Sequence, residues 1–107
     1  MLHTISEIKA HAAAAGNEFF SPSAMRYFDS RISKRVYPVK DGAFFVTSER
    51  DRYSDSYRGY SVRKVREYDG TSGRGNFDIS TIGEFGEFIT LAKAHAAAKR
   101  YAAEYSA

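Results

Sequence analysis

The chain has 107 residues, no cysteine, 43% hydrophobic and 15% aromatic residues, and a net charge of +3. We expect a single α+β domain over residues 1–107, because two smaller cores would each need metals or disulfides to fold. The composition argues against a disordered chain, and the positive charge argues against an acidic mimic of DNA. The sequence has no apolar run of ~20 residues and no signal segment, which favours a cytoplasmic protein without membrane contact.

The first predicted element is a helix over about Ile5 to Ala15. Thr4 and Glu7 have the spacing of a capping box, in which each side chain pairs with the backbone N–H of the other residue. Gly16 follows where helices often end, because glycine readily adopts the left-handed conformation of a C-terminal cap. The N-terminal segment is therefore expected to be helical and to stop at this glycine.

Ser21 and Pro22 predict the start of a short second helix. Serine is a preferred N-terminal cap, and proline suits the first helical position because the N–H that it lacks would have no partner there. Met25 and Phe28 are three residues apart, so they would share one face of this helix.

The stretch RVYPVKDGAFFVTSE predicts two extended runs joined by a turn at Asp41 and Gly42. Pro38 marks the first run as short or as an edge strand, because proline cannot donate a backbone hydrogen bond. The second run, from Ala43 to Ser48, is the more regular strand. The short connection between the two runs requires them to be antiparallel.

The polar, unpatterned segment from Arg50 to Arg58 is expected to be a connecting loop. The stretch YSVRKVREY, which begins at Tyr60, alternates apolar and polar residues and then changes phase at Lys64 and Val65, as a strand with a bulge or a changed face does. The glycine-rich DGTSGRG is typical of a hairpin loop, and NFDISTIG is typical of a further strand.

The last predicted element is a helix that is capped by Thr90 and runs through about Tyr105. The order α-α-β-β-β-β-α predicts an α+β fold of two layers: an antiparallel three- to four-stranded meander covered on one face by the N- and C-terminal helices. The other face is expected to meet water and to carry much of the arginine. The apolar stripe of the last helix consists of Leu91, Ala94, Ala98, Tyr101 and Tyr105.

The hexapeptide KAHAAA occurs in both terminal helices, at Lys9 to Ala14 and at Lys93 to Ala98. The surrounding residues do not repeat, which argues against a duplication. A metal site shared by His11 and His95 is disfavoured because a metal needs three or four ligands, and we expect no metal or other cofactor. Since alanine leaves little side chain on a contact face, the repeat predicts two helices that pack closely together over the sheet.

Basic charge is concentrated between positions 26 and 66, where eleven basic residues accompany five acidic ones. Part of this block interleaves cations with tyrosine, a pattern typical of surfaces that hold phosphates and stack bases. The other interpretation is a solvated strand and loop whose arginines pair with neighbouring acids. The candidate residues for binding nucleic acid or another partner are Arg50, Arg52, Tyr53, Tyr57, Arg58, Arg63, Lys64 and Arg66.

The sequence lacks a catalytic signature. Nothing in it places a nucleophile beside a base, and no two carboxylates have a spacing typical of acid–base catalysis. Gly70, Gly73 and Gly75 do not match the GxxxxGK[ST] pattern of a phosphate-binding loop. We therefore expect a protein that is not an enzyme.

Four motifs follow one another along the chain: F-S-P-x-x-M-R at Phe20 to Arg26, AFFVTSE at Ala43 to Glu49, YxVR at Tyr60 to Arg63, and a DIxTxGEF-like element at Asp78 to Phe85. In these motifs, and over nearly its whole length, the chain resembles a family of small proteins encoded by bacteriophages of actinobacteria and by related mobile elements. The resemblance implies an accessory phage protein in the cytoplasm of the host cell. It implies no particular chemistry.

Two classes of function follow from these observations. The first is a binder of nucleic acid or nucleoprotein that uses the arginine and tyrosine residues. The second is a protein–protein interaction module, or an inhibitor, that binds a host or phage protein through an exposed apolar or aromatic patch. Salt dependence separates the two classes, because phosphate contacts release counterions and weaken steeply as the ionic strength rises.

Overall fold

The computed structural model of the protein describes residues 2–24, 31–51, 54–67, 77–84 and 86–106. Within these residues the strands form one sheet in which they lie in chain order, and each neighbouring pair is antiparallel. The α+β class and the order α-α-β-β-β-β-α are thereby confirmed. The elements are α1 (Ile5–Ala14), α2 (residues 22–24), β1 (Arg31–Val39), β2 (Gly42–Asp51), β3 (Ser54–Glu67), β4 (Phe77–Ile82) and α3 (Leu91–Ser106).

Helix α1 begins after the predicted cap residue Thr4, which makes one of the two side-chain-to-backbone bonds of a capping box. The hydroxyl oxygen of Thr4 accepts a hydrogen bond from the backbone N–H of Glu7 at 3.1 Å and donates to the Glu7 carboxylate at 3.2 Å. The helix ends at Ala14, and Gly16 has the left-handed backbone conformation, with a φ of 74°. Local sequence alone therefore accounts for both ends of this helix.

Helix α2 begins where the sequence predicts it. The hydroxyl oxygen of Ser21 accepts a hydrogen bond from the backbone N–H of Ala24 at 3.2 Å, as an N-terminal cap does. Met25 and Phe28, which were expected on one face of this helix, lie outside the described residues.

The turn between β1 and β2 lies one residue earlier than predicted. Gly42 pairs with Val39, so Lys40 and Asp41 form the turn and Gly42 is the first residue of β2. A Cβ atom on Gly42 would lie 1.9 Å from the carbonyl oxygen of Val65 on β3. Glycine is therefore required here by the close approach of the neighbouring strand rather than by the turn itself.

The predicted loop from Arg50 to Arg58 is wrong, because most of this segment extends β2 and β3. Glu49 pairs with Gly59 and Arg50 pairs with Arg58, so the hairpin ladder continues almost to its tip. Backbone hydrogen bonds hold a ladder together whatever its side chains, and a polar strand without a clear alternation is therefore easily mistaken for a loop. The pairing of β3 with β2 is regular at Lys64 and Val65, so the change of phase there is a change of face and not a bulge: Val62 packs in the core with α3 and Val65 in the core with α1.

The two terminal helices cover opposite faces of the sheet, so the expectation that both lie on one face is wrong. Phe45 of β2 packs in a cluster with Ile8 and Ala12 of α1, whereas the preceding residue, Phe44, packs in a second cluster with Ala98 of α3. Successive side chains of a strand point to opposite faces, so two adjacent buried phenylalanines require a cover on each side. The fold therefore has three layers: helix, sheet and helix.

Each face has its own hydrophobic core. Small alanine side chains let each helix approach the larger side chains of the central strands closely. The core on the α1 face contains Leu2, Ile8, Ala12, Ala43, Phe45, Val65 and Phe77. The core on the α3 face contains Val39, Phe44, Val46, Val62, Ala94, Ala97, Ala98 and Ala102.

Among the described residues, no helix is both long enough and apolar enough to cross a lipid bilayer.

Candidate nucleic-acid interface

Five of the eight predicted binding residues have side chains that lie outside what the structure describes. Arg52 and Tyr53 fall between β2 and β3 and are not described at all. Arg50 belongs to β2, and Tyr57 and Arg58 belong to β3, so their backbones are in strands. The role predicted for these five residues stays a prediction.

Arg63 is buried within the sheet on the α1 face. Only 8% of the residue is exposed, and its guanidinium donates to Glu49 Oε1 at 2.8 Å, to Thr47 Oγ1 at 2.9 Å and to Thr81 Oγ1 at 2.5 Å. The ring of Phe19 lies over the guanidinium, with its centroid 5.4 Å away. Arg63 therefore links its own strand, β3, to β2 and β4, and it is covered by an aromatic ring.

Glu49, the carboxylate partner of Arg63, is only 2% exposed. It accepts further hydrogen bonds from the hydroxyls of Thr47 at 2.6 Å and Ser61 at 2.7 Å, and Ser61 in turn accepts the backbone N–H of Gly86. A buried ion pair is tolerated when hydrogen bonds satisfy its remaining polar atoms. This part of the sheet was expected to face water, and that expectation is wrong because α1 and the segment after it cover that face.

Lys64 lies on the α3 face and is 6% exposed. Its ammonium donates to Asp41 Oδ1 at 3.1 Å and to the carbonyl of Val65 at 2.8 Å, and it lies 4.5 Å from the centre of the Tyr105 ring. The hydroxyl of Tyr105 donates to the other oxygen of Asp41 at 2.5 Å. Lys64 is therefore a structural cation that joins the β1–β2 turn to the end of α3.

The same contacts shift the pKa values of Asp41 and Tyr105. Burial would raise the pKa of Asp41, but the hydrogen bonds from Tyr105 and Lys64 outweigh it and hold this pKa below its ordinary value. The hydrogen bond to Asp41 raises the pKa of Tyr105. The turn and the helix end are thus coupled through one carboxylate.

Arg66 is the predicted binding residue that has both a described and an exposed side chain. Its side chain is 58% exposed, and its Nε atom lies 3.6 Å from Asp41 Oδ2. At this exposure the ion pair is weak, so the cation can also contact an external anion.

A second group of cations lies where the edge strand β1 meets α3. Lys34 and Arg35 on β1 and Lys99 on α3 are exposed. Neither residues 31–40 nor residues 88–103 include an aspartate or a glutamate. With His95, which links the two elements, these three cations define what we call the basic seam. The exposed cations Lys40 and Lys93 extend it along the same two stretches, whereas the next cation of α3, Arg100, lies 4.0 Å from the carboxylate of Glu104.

His95 joins the two sides of the basic seam. Its Nε2 atom lies 2.8 Å from the hydroxyl of Ser33, and its Nδ1 atom lies 3.0 Å from the hydroxyl of Tyr37, both on β1. Burial lowers the pKa of His95, and the positive charge of Arg35 lowers it further. The imidazole is therefore mostly neutral at pH 7, with both ring nitrogens in hydrogen bonds.

His11, the counterpart of His95 in the repeated hexapeptide, lies on the other face of the sheet, where its Nδ1 atom contacts the carboxylate of Glu67. The expectation that the two alanine-rich helices pack against each other is therefore wrong, because the sheet separates them. In the described residues, no three histidine, aspartate or glutamate side chains come together in a way that could hold a metal ion.

The sequence contained a signal for the basic seam that pattern reasoning did not use. Two separate stretches carry several cations and no acid, and they become one surface only when α3 packs beside β1. The interleaving of arginine with tyrosine instead favours binding residues on β2 and β3. Because a strand buries alternate residues on each covered face, two of the cations counted there, Arg63 and Lys64, are internal.

Comparison with known proteins identifies the family. No curated protein and no solved structure matched the chain. One family model, DUF7447, described as a family of unknown function, matches residues 4–99, which includes α1, all four strands and about half of α3. The match spans most of the 107 residues. The chain therefore belongs to the DUF7447 family of unknown function.

Proposed function

We propose that the protein is a small, non-enzymatic accessory protein of a bacteriophage, which binds nucleic acid or nucleoprotein in the cytoplasm of the host cell. The observation that carries the binding proposal is the basic seam: Lys34, Arg35 and Lys99 are exposed on two acid-free stretches of chain that meet at His95. The phage setting is supported by the F-S-P-x-x-M-R motif and the motifs that follow it.

Phosphate is the chemical group that this surface suits. Guanidinium and ammonium groups without a neighbouring carboxylate gain most from a polyanion, because each contact also releases a condensed counterion. Arg63 and Lys64 do not contribute to this surface, since each is buried and bound to a carboxylate. Arg50, Arg52 and Arg58 stay the alternative contact that the sequence predicts, and Arg66 lies at the other end of β3, opposite Gly42.

The test compares two triple variants by fluorescence anisotropy with labelled duplex DNA, single-stranded DNA and RNA. K34Q/R35Q/K99Q neutralises the basic seam, and R50Q/R52Q/R58Q removes the same charge from the β2–β3 end. We expect only the first to weaken binding at low salt. It should also reduce the slope of log affinity against log salt by roughly 2 units or more, since each phosphate contact contributes about 0.7–0.9.

The single variants K99Q and K9Q provide a matched control. Each removes one exposed lysine from an alanine-rich helix, but Lys9 lies on α1, on the opposite face. Equal effects of the two triple variants, or of K99Q and K9Q, would show that binding follows net charge and not the basic seam. Absence of binding by the unmodified protein at low salt would refute the nucleic-acid proposal as a whole.

The second candidate function is binding of a host or phage protein. It is favoured by two large apolar side chains at the start of α3, Ile89 and Leu91, which are 67% and 44% exposed. Exposed apolar residues that lie close together often belong to interaction sites. A pull-down from host lysate with and without nuclease separates the candidates, because a direct protein partner is retained after nuclease treatment and is lost with I89S/L91S.

A further inference from the structure

We infer that a phosphate of the bound polynucleotide sits against Ser33, Tyr37 and His95 in the basic seam, and that binding transfers a proton from solution to the His95 imidazole. This inference rests on the proposed function and specifies its central contact. It is carried by the arrangement of three hydrogen-bonding side chains, half-buried where two elements meet, beside the exposed guanidinium of Arg35.

The hydrogen-bonding capacity of this cluster depends on the charge of the ring. In a neutral imidazole one ring nitrogen donates and the other accepts, so either Ser33 or Tyr37 must use its hydroxyl hydrogen on the ring. In an imidazolium both nitrogens donate and both hydroxyls accept. Protonation therefore makes both hydroxyl hydrogens available to phosphate oxygens, in addition to the new positive charge.

The electrostatics act in the same direction. The free protein disfavours a charged His95 for two reasons, burial and the nearby charge of Arg35, and together these lower its pKa. A phosphate placed between the imidazole and the guanidinium offsets both, because it supplies a negative charge within the partly desolvated seam. The bound state must then hold the proton more tightly than the free state, and by linkage the protonated protein binds the polynucleotide more tightly.

The groups around His95 support this assignment. On β1 the charged or titratable neighbours are Arg35 and Tyr37, and on α3 Lys99 follows one turn later. The neighbouring strands β2 and β3 supply apolar side chains to this core, and Lys64 of β3 lies at the far end of α3, against Tyr105. The sequence has no acid in either stretch that forms the seam, so an external anion is the partner that fits.

The experiment measures the affinity for a labelled single-stranded DNA at constant ionic strength between about pH 7.5 and about pH 5.5, a range that spans histidine titration. The unmodified protein should bind more tightly as the pH falls, by up to about tenfold per pH unit for one linked proton. The H95Q variant should lose this dependence. The H11Q variant, altered at the same position of the repeated hexapeptide but on the other face, should keep it.

Two further measurements use only the unmodified protein, so they do not depend on whether a variant folds. Calorimetry of the unmodified protein in buffers of different ionisation enthalpy should show net proton uptake of up to one proton on binding. The slope of log affinity against log salt should increase by about 0.7–0.9 at the lower pH, as expected for one additional phosphate contact. If His95 had only a structural role, binding would take up no proton and the salt slope would be the same at both pH values.

The outcomes separate this inference from the proposed function. Binding that depends on Lys34, Arg35 and Lys99 but takes up no proton, with the same pH dependence in H95Q as in the unmodified protein, would overturn the inference and leave the proposed function standing. Absence of binding at any pH and low salt would overturn both.

Discussion

Individual residues show why the charge of a side chain does not by itself predict a binding role. Arg63 and Arg35 both lie in strands, but Arg63 is enclosed by Glu49, Thr47 and Thr81, whereas Arg35 is exposed on the edge strand. This buried guanidinium links β3 to β2 and β4 by hydrogen bonds. An exposed one beside a half-buried histidine is available to an anion.

The ion pair of Glu49 and Arg63 provides a stability prediction. Glu49→Ala leaves the guanidinium buried without its carboxylate, and we expect the free energy of unfolding to fall by about 3–5 kcal/mol. Urea unfolding followed by circular dichroism measures the change. The double variant E49L/R63M removes both charges and should be less destabilised than E49A. A loss below about 1 kcal/mol for E49A would mean that the pair is not structurally important.

His95 provides a prediction for the pH dependence of stability. Its pKa in the folded protein lies below the ordinary value of 6.5, so the unfolded chain takes up the proton first as the pH falls. This contribution to stability is complete above pH 6.5 and is lost as the pH falls through the lowered value. We expect the melting temperature of the free protein to decrease over this range, and to decrease less in H95Q. An unchanged pH profile in H95Q would contradict this expectation.

At the scale of elements, the strand β2 explains both the successes and the failures of sequence reasoning. The cap of α1, the glycine after it and the approximate position of every strand follow from local patterns that the structure confirms. The placement of the helices does not follow from local patterns. The sequence feature that indicates a helix on each face is the run AFFV in the segment AFFVTSE. Its apolar residues are consecutive and do not alternate with polar ones, which is typical of a strand buried on both faces.

Gly42 provides a prediction at the same scale, because it lies where β1, β2 and β3 meet. Gly42→Ala would place a methyl group 1.9 Å from the carbonyl oxygen of Val65, and backbone would have to move to relieve the overlap. We expect a loss of about 1–3 kcal/mol in the free energy of unfolding. Gly16→Ala is the comparison, since a Cβ atom on Gly16 would meet no atom within 4 Å and only the positive φ would strain an alanine there. Equal losses at both positions would argue against the close approach.

At the scale of the whole molecule, the candidate interface could be predicted only in part. Its ingredients, cations without nearby acids, are visible in residues 31–40 and 88–103. Whether these two stretches form one surface depends on which face α3 covers and on which strand lies beneath it. Both are decided by tertiary packing. The residues that the sequence did favour, near the β2–β3 turn, remain candidates that the paired triple variants test directly.

The position of β1 at the edge of the sheet has a consequence for the behaviour of the chain in solution. An edge strand offers unused backbone hydrogen bonds to any other extended chain, and this is a common route to aggregation. Pro38 cannot donate such a bond, and Lys34 and Arg35 repel a second copy of the same edge. The cations to which we assign phosphate binding therefore also disfavour edge-to-edge pairing of β1. A homologue without them would need another feature on this strand to avoid aggregation.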